Sequence, residues 1–379
     1  MRLLTTLSLG SVMFVQVSSG AGGQAPAKEP SQDAEKLVQN GTAAQLRGEW
    51  KTAIEDFRKA LALRPDLVEA HVGLGAALVA AGQFDDAIDE DTRALAAAPG
   101  NAALGTTLGL AYYRKGDLGR ARSQFEAVHL GHPEDLNAAV LLGYTYIRMN
   151  RAADAADLLT PLEAGHEADL DLEYVLGYAL IQAGRGADGA PKMEKVATAR
   201  HSADAWFVAA TARFGRREFH EASSDAEQAL VCDPALPGAH TLAGQAHYAI
   251  GKLDLAVPDF QAALRADPRD FTANLYLGIL RFDERDFDSA RPLLELAIEL
   301  QPRAPLARLE LAKLNAMTGN QPAALAALEE LVKTDPEWLD PHVELAALYY
   351  RMHRPEDGKR EREIVQRLEA VPQKPGAAK

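Results

Sequence analysis

Cysteine is nearly absent from this sequence of 379 residues, in which Cys232 is the single example. One thiol excludes an intramolecular disulfide, and it excludes every metal or iron–sulfur site that requires several cysteine ligands. Aromatic residues are also scarce, at 6%, whereas alanine is abundant. Because alanine has the highest helix propensity and strands favour aromatic and β-branched residues, this composition predicts an all-α fold.

Positive charge is in deficit as well. The chain has 40 Lys and Arg residues against 54 Asp and Glu residues, which gives a formal net charge of −14. Since nucleic-acid binding requires a basic surface that neutralises phosphates, no nucleic-acid partner is predicted. The charged fraction of 25% and the hydrophobic fraction of 47% are those of a folded protein, so most of the chain is predicted to be globular.

Long hydrophobic runs are missing beyond the N-terminus, where no window reaches the roughly 18 apolar residues of a membrane span. The N-terminus itself has a basic start, an uncharged apolar run over residues 3–17 and small residues up to Ala21. This order predicts a signal peptide at residues 1–21, with a retained anchor as the alternative. Cleavage would leave no transmembrane anchor and an exported protein, either periplasmic or secreted. Residues 22–33 are predicted to be a linker and residues 371–379 a loose tail.

Prolines recur with a period of 34 residues, as Pro65, Pro99 and Pro133 and again as Pro234, Pro268, Pro302 and Pro336. The interval between the two groups is 101 residues, one short of three periods, so the repeats continue through the middle with one residue deleted. The ten repeats of this register begin at residues 34, 68, 102, 136, 170, 203, 237, 271, 305 and 339. Every repeat has Gly or Ala at positions 8 and 20, which predicts a close crossing of two helices within each repeat.

This pattern resembles the tetratricopeptide repeat family, which has small residues at positions 8 and 20, an aromatic at 11, a large apolar residue at 24 and proline at 32. Repeat 3 matches all five positions with Gly109, Ala121, Tyr112, Phe125 and Pro133. The resemblance covers residues 34–370. It implies a right-handed α-solenoid of about ten helix pairs, in which the first helix of each repeat lines a concave groove.

The resemblance also implies a candidate binding surface, because positions 2, 5, 9, 12 and 13 of the first helix line the groove in this family. The aromatic and arginine residues proposed for it are Tyr113, Arg114, Tyr144, Arg148, Tyr174, Tyr178, Phe207, Phe214, Tyr248 and Phe282, with Tyr350 at an equivalent position. Tyrosine and arginine are frequent anchors of binding surfaces. We therefore expect an open strip, centred on repeats 3 to 6, that binds an extended segment of a partner protein. A polysaccharide is the alternative ligand, and packing of the rings against neighbouring helices is the alternative role.

Motifs for catalysis and cofactors are not supported by their context. Gly184, Gly186 and Gly189 form a G-x-G-x-x-G sequence, but the dinucleotide fingerprint requires a strand before a helix, whereas this sequence falls between two predicted helices. His240 and His247 could bind a metal from one helix face, but they occupy positions 4 and 11, which the resemblance assigns to packing. No cofactor, metal ligand or catalytic residue is predicted. The expected function is a non-enzymatic scaffold or adaptor of the cell envelope.

Asp91 and Pro161 depart from the repeat pattern. Asp91 occupies position 24 of repeat 2, where a large apolar residue is expected. Pro161 falls inside the predicted second helix of repeat 4, where proline removes a backbone hydrogen bond and clashes with the preceding turn. Repeat 5 has three glycines around its helix turn, Pro191 and the one-residue deletion. Repeats 4 and 5 are therefore expected to be the weakest part of the array.

Overall fold

The computed structural model of the chain describes residues 29–370, so the predicted signal peptide and the predicted tail lie outside the described residues. Within this range there are twenty α-helices, one short 3₁₀ helix and no strand, which confirms the all-α prediction. The helices of repeats 1 to 5 are α1 Glu29–Leu46, α2 Trp50–Leu63, α3 Val68–Ala80, α4 Phe84–Ala97, α5 Ala102–Lys115, α6 Leu118–Gly131, α7 Leu136–Arg148, α8 Ala152–Leu159, α9 Leu170–Gln182 and α10 Gly186–Arg200. Those of repeats 6 to 10 are α11 Ala203–Gly215, α12 Phe219–Cys232, α13 Ala239–Ala249, α14 Leu253–Ala266, α15 Phe271–Asp283, α16 Phe287–Leu300, α17 Pro305–Met317, α18 Gln321–Thr334, α19 Leu339–Arg351 and α20 Pro355–Ala370.

Each repeat forms one helix pair, and the turn between the two helices falls at repeat position 15. That position has a positive φ in all ten repeats, at Gly48, Gly82, Gly116, Asn150, Gly184, Arg217, Gly251, Arg285, Gly319 and His353. A left-handed residue ends the first helix and reverses the chain, and glycine adopts this conformation without steric cost. At the N-terminal end, α1 begins at Glu29, inside the predicted linker.

The small residues at position 8 leave space for the large side chain at position 24. A Cβ atom built on Gly109 would lie 2.6 Å from the ring of Phe125, and one built on Gly143 would lie 2.7 Å from Leu159. Both large side chains are fully buried. The two helices of a pair therefore approach closely enough that a side chain at position 8 would displace the core.

Neighbouring repeats are joined by polar contacts that recur at the same repeat positions. The hydroxyl group of Tyr146, at position 11, donates to Glu126 of the preceding repeat at 2.8 Å, and Tyr349 donates to Glu329 at 2.8 Å. The spacing of 20 residues is the same in both pairs. These partly buried hydrogen bonds fix the register between consecutive helix pairs.

The chain divides into two units, the first ending at Ala212 and the second beginning at Arg213, so the boundary falls inside α11. Each unit is a stack of helix pairs with its own buried apolar core, which contains Phe57 and Phe125 in unit 1 and Phe260 and Leu294 in unit 2. None of the helices between Glu29 and Ala370 has both the length and the apolar composition needed to cross a bilayer.

Pro161 shortens the second helix of repeat 4. α8 ends at Leu159, and a 3₁₀ helix, Thr160–Leu162, contains the proline, which has no N–H for the next α-helical hydrogen bond. The next helix pair is joined by an ionic contact in its interior. Glu173 is buried, with the Nζ atoms of Lys195 and Lys192 at 2.5 Å and 3.5 Å from its carboxylate. The low stability expected for repeats 4 and 5 stays a prediction.

Candidate functional site

The candidate residues lie on one face of the first helices, which we call the A face and define by repeat positions 2, 5, 9, 12 and 13. Two residues come from each of α5, α7, α9 and α11, and one from each of α13 and α15. They are Tyr113 and Arg114, Tyr144 and Arg148, Tyr174 and Tyr178, Phe207 and Phe214, Tyr248, and Phe282.

Four tyrosines of unit 1, Tyr113, Tyr144, Tyr174 and Tyr178, form what we call the tyrosine strip. Tyr113, Tyr144 and Tyr174 are only 9%, 6% and 3% exposed, and Tyr178 is half-buried. The expectation of open rings is therefore wrong for the first three. These three rings are part of the buried apolar cores of unit 1, which agrees with the alternative role of packing.

The tyrosine strip has residues on the first helices of repeats 3, 4 and 5. The rings of Tyr174 and Tyr178, one helical turn apart, are parallel with centroids 6.4 Å apart. Burial raises the pKa of Tyr144 above its usual value, and the phenol groups of Tyr174 and Tyr113 raise it further. Burial also raises the pKa of Tyr174. These hydroxyl groups therefore stay protonated and able to donate a hydrogen bond at neutral pH.

Arg114 and Arg148 lie near Tyr113, at the N-terminal end of the tyrosine strip. The guanidinium group of Arg148 lies over the ring of Tyr113, 5.0 Å from its centroid, and the side chains of Arg148 and Arg114 are both exposed. Burial raises the pKa of Tyr113, while a hydrogen bond with Arg148 and the charges of both arginines lower it. The sequence-predicted residues of repeats 3 and 4 thus form a cluster with two exposed cations and a buried phenol.

The predicted phenylalanines pack mainly within their own repeats. Phe214 meets Phe219 edge to face at 5.3 Å, and Phe282 meets Phe287 at 5.7 Å. Phe219 and Phe287 each begin the second helix of the pair, so these contacts hold the two helices together at the turn. Phe207 is half-buried on α11.

Unit 2 has a charged group on its A face that sequence reasoning missed. The Nζ atom of Lys313 lies 5.5 Å from the centroid of Phe282 and 2.9 Å from the carboxylate of Glu310. Burial raises the pKa of Glu310, and the contacts with Lys313 lower it. Tyr248, which meets Tyr276 edge to face at 5.0 Å, also has a raised pKa because it is buried and near Asp283. Lys313 occupies position 9 of repeat 9, which lines the groove in this family, so its repeat position was the signal in the sequence.

The A face of repeats 9 and 10 exposes large apolar side chains. Leu306, Met317, Val343 and Tyr350, which we call the apolar patch, occupy positions 2, 13, 5 and 12. Only Tyr350 was singled out from the sequence. In the sequence, the other three could have been recognised as aliphatic rather than polar residues at positions that the resemblance assigns to the groove.

The G-x-G-x-x-G sequence is part of the repeat pattern. Gly184 is the left-handed residue of the turn at position 15, with φ of +81°, and Gly189 is the small residue at position 20. A Cβ atom on Gly189 would lie 2.5 Å from the carbonyl oxygen of Gly177. Gly189 is therefore required by the close helix crossing, whereas Gly184 adopts the left-handed turn conformation without steric cost. The helix α9, rather than a strand, precedes both glycines.

The two histidines of α13 share a carboxylate. Nδ1 of the buried His247 lies 2.8 Å from Asp259, whose other oxygen lies 3.2 Å from Nδ1 of His240. Nε2 of His247 lies 3.0 Å from Glu227. These contacts connect α12, α13 and α14. Among residues 29–370, no group of three or more His, Cys, Asp or Glu side chains is arranged to hold a metal ion.

Comparison with protein-family models gives two matches. The model described as Tetratricopeptide repeat matches residues 106–168, 241–285 and 277–337. The model described as TPR repeat matches residues 46–82. Both describe repeats, and neither is a catalytic family. No curated protein matches the sequence.

Comparison with solved structures gives matches at low sequence identity. A tetratricopeptide repeat protein from Parabacteroides merdae is 16% identical with a TM-score of 0.46, and the match covers 70% of this chain and 99% of that one. Yeast Tom70 is 16% identical with a TM-score of 0.36, over 90% and 93% of the two chains. MamA from Desulfovibrio magneticus is 20% identical with a TM-score of 0.40, over 44% of this chain and 94% of that one.

Proposed function

The chain belongs to the tetratricopeptide repeat family, and from this we propose that it is a non-enzymatic scaffold that binds an extended segment of a partner protein along the tyrosine strip. A protein-binding scaffold is the role that the repeat fold supports, because stacked helix pairs present a long surface without a catalytic centre. The finer proposal rests on one observation. Arg114 and Arg148 present exposed cations beside the buried phenol of Tyr113.

The arrangement suits an extended peptide. The two guanidinium groups can donate to carbonyl or carboxylate oxygens of the partner, and such charge-assisted hydrogen bonds are stronger than neutral ones. The buried rings below them are fixed by packing, so little side-chain entropy is lost when a partner binds. Tyr178, which is half-buried, offers apolar surface further along the strip.

A peptide is favoured over the alternative ligand, a polysaccharide. Sugars bind aromatic side chains through open ring faces, whereas Tyr113, Tyr144 and Tyr174 are almost entirely covered by neighbouring helices. The exposed groups beside the strip, the guanidinium groups of Arg114 and Arg148, are hydrogen-bond donors, which match the carbonyl groups that recur along an extended main chain.

We place the scaffold in the cell envelope, as a periplasmic or secreted protein. The support is the N-terminal sequence, whose basic start, apolar run and small residues up to Ala21 are typical of a cleaved signal peptide. Cell fractionation with N-terminal sequencing of the purified protein tests this placement. A mature chain that begins at Gly22 supports it, and a cytosolic chain that keeps Met1 contradicts it.

The binding proposal is tested with the double variant Arg114→Glu/Arg148→Glu. Capture of partners from an envelope extract, followed by mass spectrometry, should lose specific proteins that the wild-type chain retains. The matched control is Lys51→Glu/Arg58→Glu, which makes the same change of charge at two exposed positions of α2, outside the A face. Capture of the same proteins by both variants would contradict the proposal. Equal melting temperatures would show that the loss is not caused by unfolding.

A further inference from the structure

Position 11 of the first helix carries a recurring hydrogen bond between consecutive repeats. Tyr146 and Tyr349 each donate to a glutamate 20 residues earlier, at position 25 of the preceding repeat. In repeat 7 the residue at position 11 is His247, and its Nε2 atom lies 3.0 Å from Glu227, again 20 residues earlier. A histidine therefore replaces tyrosine at the contact between repeats 6 and 7, and of these two residue types only histidine changes its charge near neutral pH.

Both ring nitrogens of His247 face carboxylates. Besides the contact with Glu227 of α12, the Nδ1 atom lies 2.8 Å from Asp259 of α14. The side chain of His247 is only 4% exposed, so water has little access to either nitrogen. A carboxylate only accepts hydrogen bonds, and a neutral imidazole has a single N–H group. The neutral ring can therefore donate to one of the two carboxylates, whereas the imidazolium ion can donate to both.

The charges around His247 favour the imidazolium ion. In the described part of the chain, Glu227 is paired with His247, and Asp259 with His247 and with His240 of the same helix, but neither carboxylate is paired with lysine or arginine. His247 also lies in the last turn of α13, where the helix dipole favours a cation. Burial opposes the charged form, and the two hydrogen-bonded carboxylates compensate for it.

Loss of the proton from His247 would affect its two contacts unequally. The side chain of Asp259 is 17% exposed, whereas that of Glu227 is 53% exposed and can be solvated by water. The neutral ring should therefore keep Nδ1–H donating to Asp259 and present an unprotonated Nε2 to Glu227, because an unsatisfied carboxylate costs more where it is less exposed. The contact between the two repeats is thus the one that depends on the proton.

We propose that His247 is a proton-dependent clamp between repeats 6 and 7. In its protonated form it joins α12 to α14 through Glu227 and Asp259, and in its neutral form it releases α12. A proton that is bound more tightly in the folded than in the unfolded state stabilises the fold, and this stabilisation is lost as the pH rises. Acidification should therefore tighten the packing of α12 against α13, whereas the tyrosine contacts of repeats 4 and 10 keep their phenol proton throughout this range.

The protonation of His247 is tested by NMR of the full chain with histidine labelled with ¹⁵N at both ring nitrogens, because the chemical shift distinguishes an N–H group from an unprotonated nitrogen. The signals of His247 are identified by their absence from the variant His247→Tyr. Both nitrogens should carry a proton at pH 6, and only Nδ1 at pH 8.5. A single protonated nitrogen at pH 6 would overturn the proposal, and so would two at pH 8.5, because the clamp would then not open.

Hydrogen exchange of α12 and α13, measured by mass spectrometry and corrected for intrinsic exchange rates, tests the consequence. In the wild-type chain these helices should be at least about tenfold better protected at pH 6 than at pH 8.5, which corresponds to one charge-assisted hydrogen bond. His247→Tyr should abolish the difference, because tyrosine donates to the glutamate at either pH. The matched control is His220→Tyr, which changes an exposed histidine of α12 and should keep the difference.

Glu227→Gln is a more conservative variant, because it keeps the size of the side chain. Its amide oxygen can accept from the imidazolium ion and its amide N–H can donate to the neutral ring, so the contact is satisfied in both forms. The difference in protection should therefore be lost, with protection at pH 8.5 at least equal to that of the wild-type chain. Equal protection of the wild-type helices at both pH values would overturn the proposal, as would a difference that persists in both Glu227→Gln and His247→Tyr.

Discussion

In unit 1 the large side chains of the A face are buried tyrosines next to exposed arginines, whereas in repeats 9 and 10 of unit 2 they are exposed apolar residues next to carboxylates. The two sets share positions 5 and 12, which are Tyr174 and Tyr113 in unit 1 and Val343 and Tyr350 in repeat 10. Position 9 is Tyr144 and Tyr178 in repeats 4 and 5 but Ala347 in repeat 10. Repeat position alone therefore does not determine the exposure of a side chain on this face.

The largest expected difference between unit 1 and repeats 9 and 10 is the loss of stability when a tyrosine of the A face is replaced. Tyr144→Ala should lower the free energy of unfolding of unit 1 by about 3–5 kcal/mol, as for other buried aromatic side chains. Tyr350→Ala should cost less than Tyr144→Ala, because Tyr350 is 38% exposed even though its ring packs against Gly358 of α20. Urea denaturation followed by far-UV circular dichroism measures both.

Tyr144→Phe is the control for this pair, because it keeps the buried ring and removes only the hydroxyl group. It should restore most of the stability that Tyr144→Ala loses. Similar losses from Tyr144→Ala and Tyr350→Ala would contradict the contrast in burial. Loss of partner binding by Tyr144→Ala could be caused by unfolding, whereas substitution of the exposed Arg114 and Arg148 leaves the buried rings in place.

A second comparison concerns buried carboxyl groups. In unit 2, Glu310 is paired with Lys313. In unit 1, Asp91 is fully buried, and neither of its oxygens has a hydrogen-bond partner. Burial raises the pKa of Asp91 to about 8; the nearby Thr107 hydroxyl, which donates to the carbonyl groups of Ala103 and Leu104, lowers it only in part, and the charge of Glu90 raises it slightly.

Asp91 should make unit 1 sensitive to pH. Its pKa is raised in the folded state, so the unfolded state loses this proton near pH 4 and the folded state only near pH 8. Folding is therefore penalised increasingly as the pH rises from about 4 to 8, and the penalty is constant above that range. Asp91→Asn should flatten the pH dependence of the melting temperature between these values. An unchanged slope would contradict this assignment.

Asp91→Leu should stabilise unit 1 by about 1–3 kcal/mol at pH 8, because it replaces an unsatisfied buried carboxyl group with an apolar one. Leucine occupies position 24 in repeats 4, 8 and 9, as Leu159, Leu294 and Leu328, all fully buried. Glu310→Leu in unit 2 is the comparison. It should not give the same gain, because it leaves Lys313 without its carboxylate.

The fold could be predicted from the sequence because its determinants are steric and periodic. Gly143 at position 8 and Leu159 at position 24 indicate where the two helices of one repeat cross. Ten repeats in the same register support this assignment. Arg217 and Arg285 show where such reasoning is incomplete. Both adopt the left-handed turn conformation at position 15 without being glycine, so the turn is imposed by the packing of the helix pair rather than by the local sequence.

The candidate site could be predicted only in part. Position in the repeat correctly placed Tyr113 and Arg148 on adjacent first helices, and their contact follows from the stacking of those helices. It could not predict that the ring would be buried, because burial depends on side chains from three successive repeats. Aliphatic residues such as Met317 and Val343 were missed because, in the sequence alone, they cannot be distinguished from core residues.

The smallest expected effect concerns the charge beside the phenol group in each unit. Tyr113 lies beneath Arg148, whereas Tyr248 of unit 2 lies near Asp283. An exposed cation over an aromatic ring contributes about 0.5–1 kcal/mol, so Arg148→Gln should change the stability of unit 1 only slightly. The pKa of Tyr113 should rise in this variant, because a charge that favours the phenolate is removed. NMR titration of tyrosines labelled with ¹³C at Cζ measures the change, and Tyr248 serves as the internal control. A pKa of Tyr113 that stays constant, or one that falls, would mean that Arg148 does not act on this phenol group, and the exposed cations would then lose their connection to the tyrosine strip.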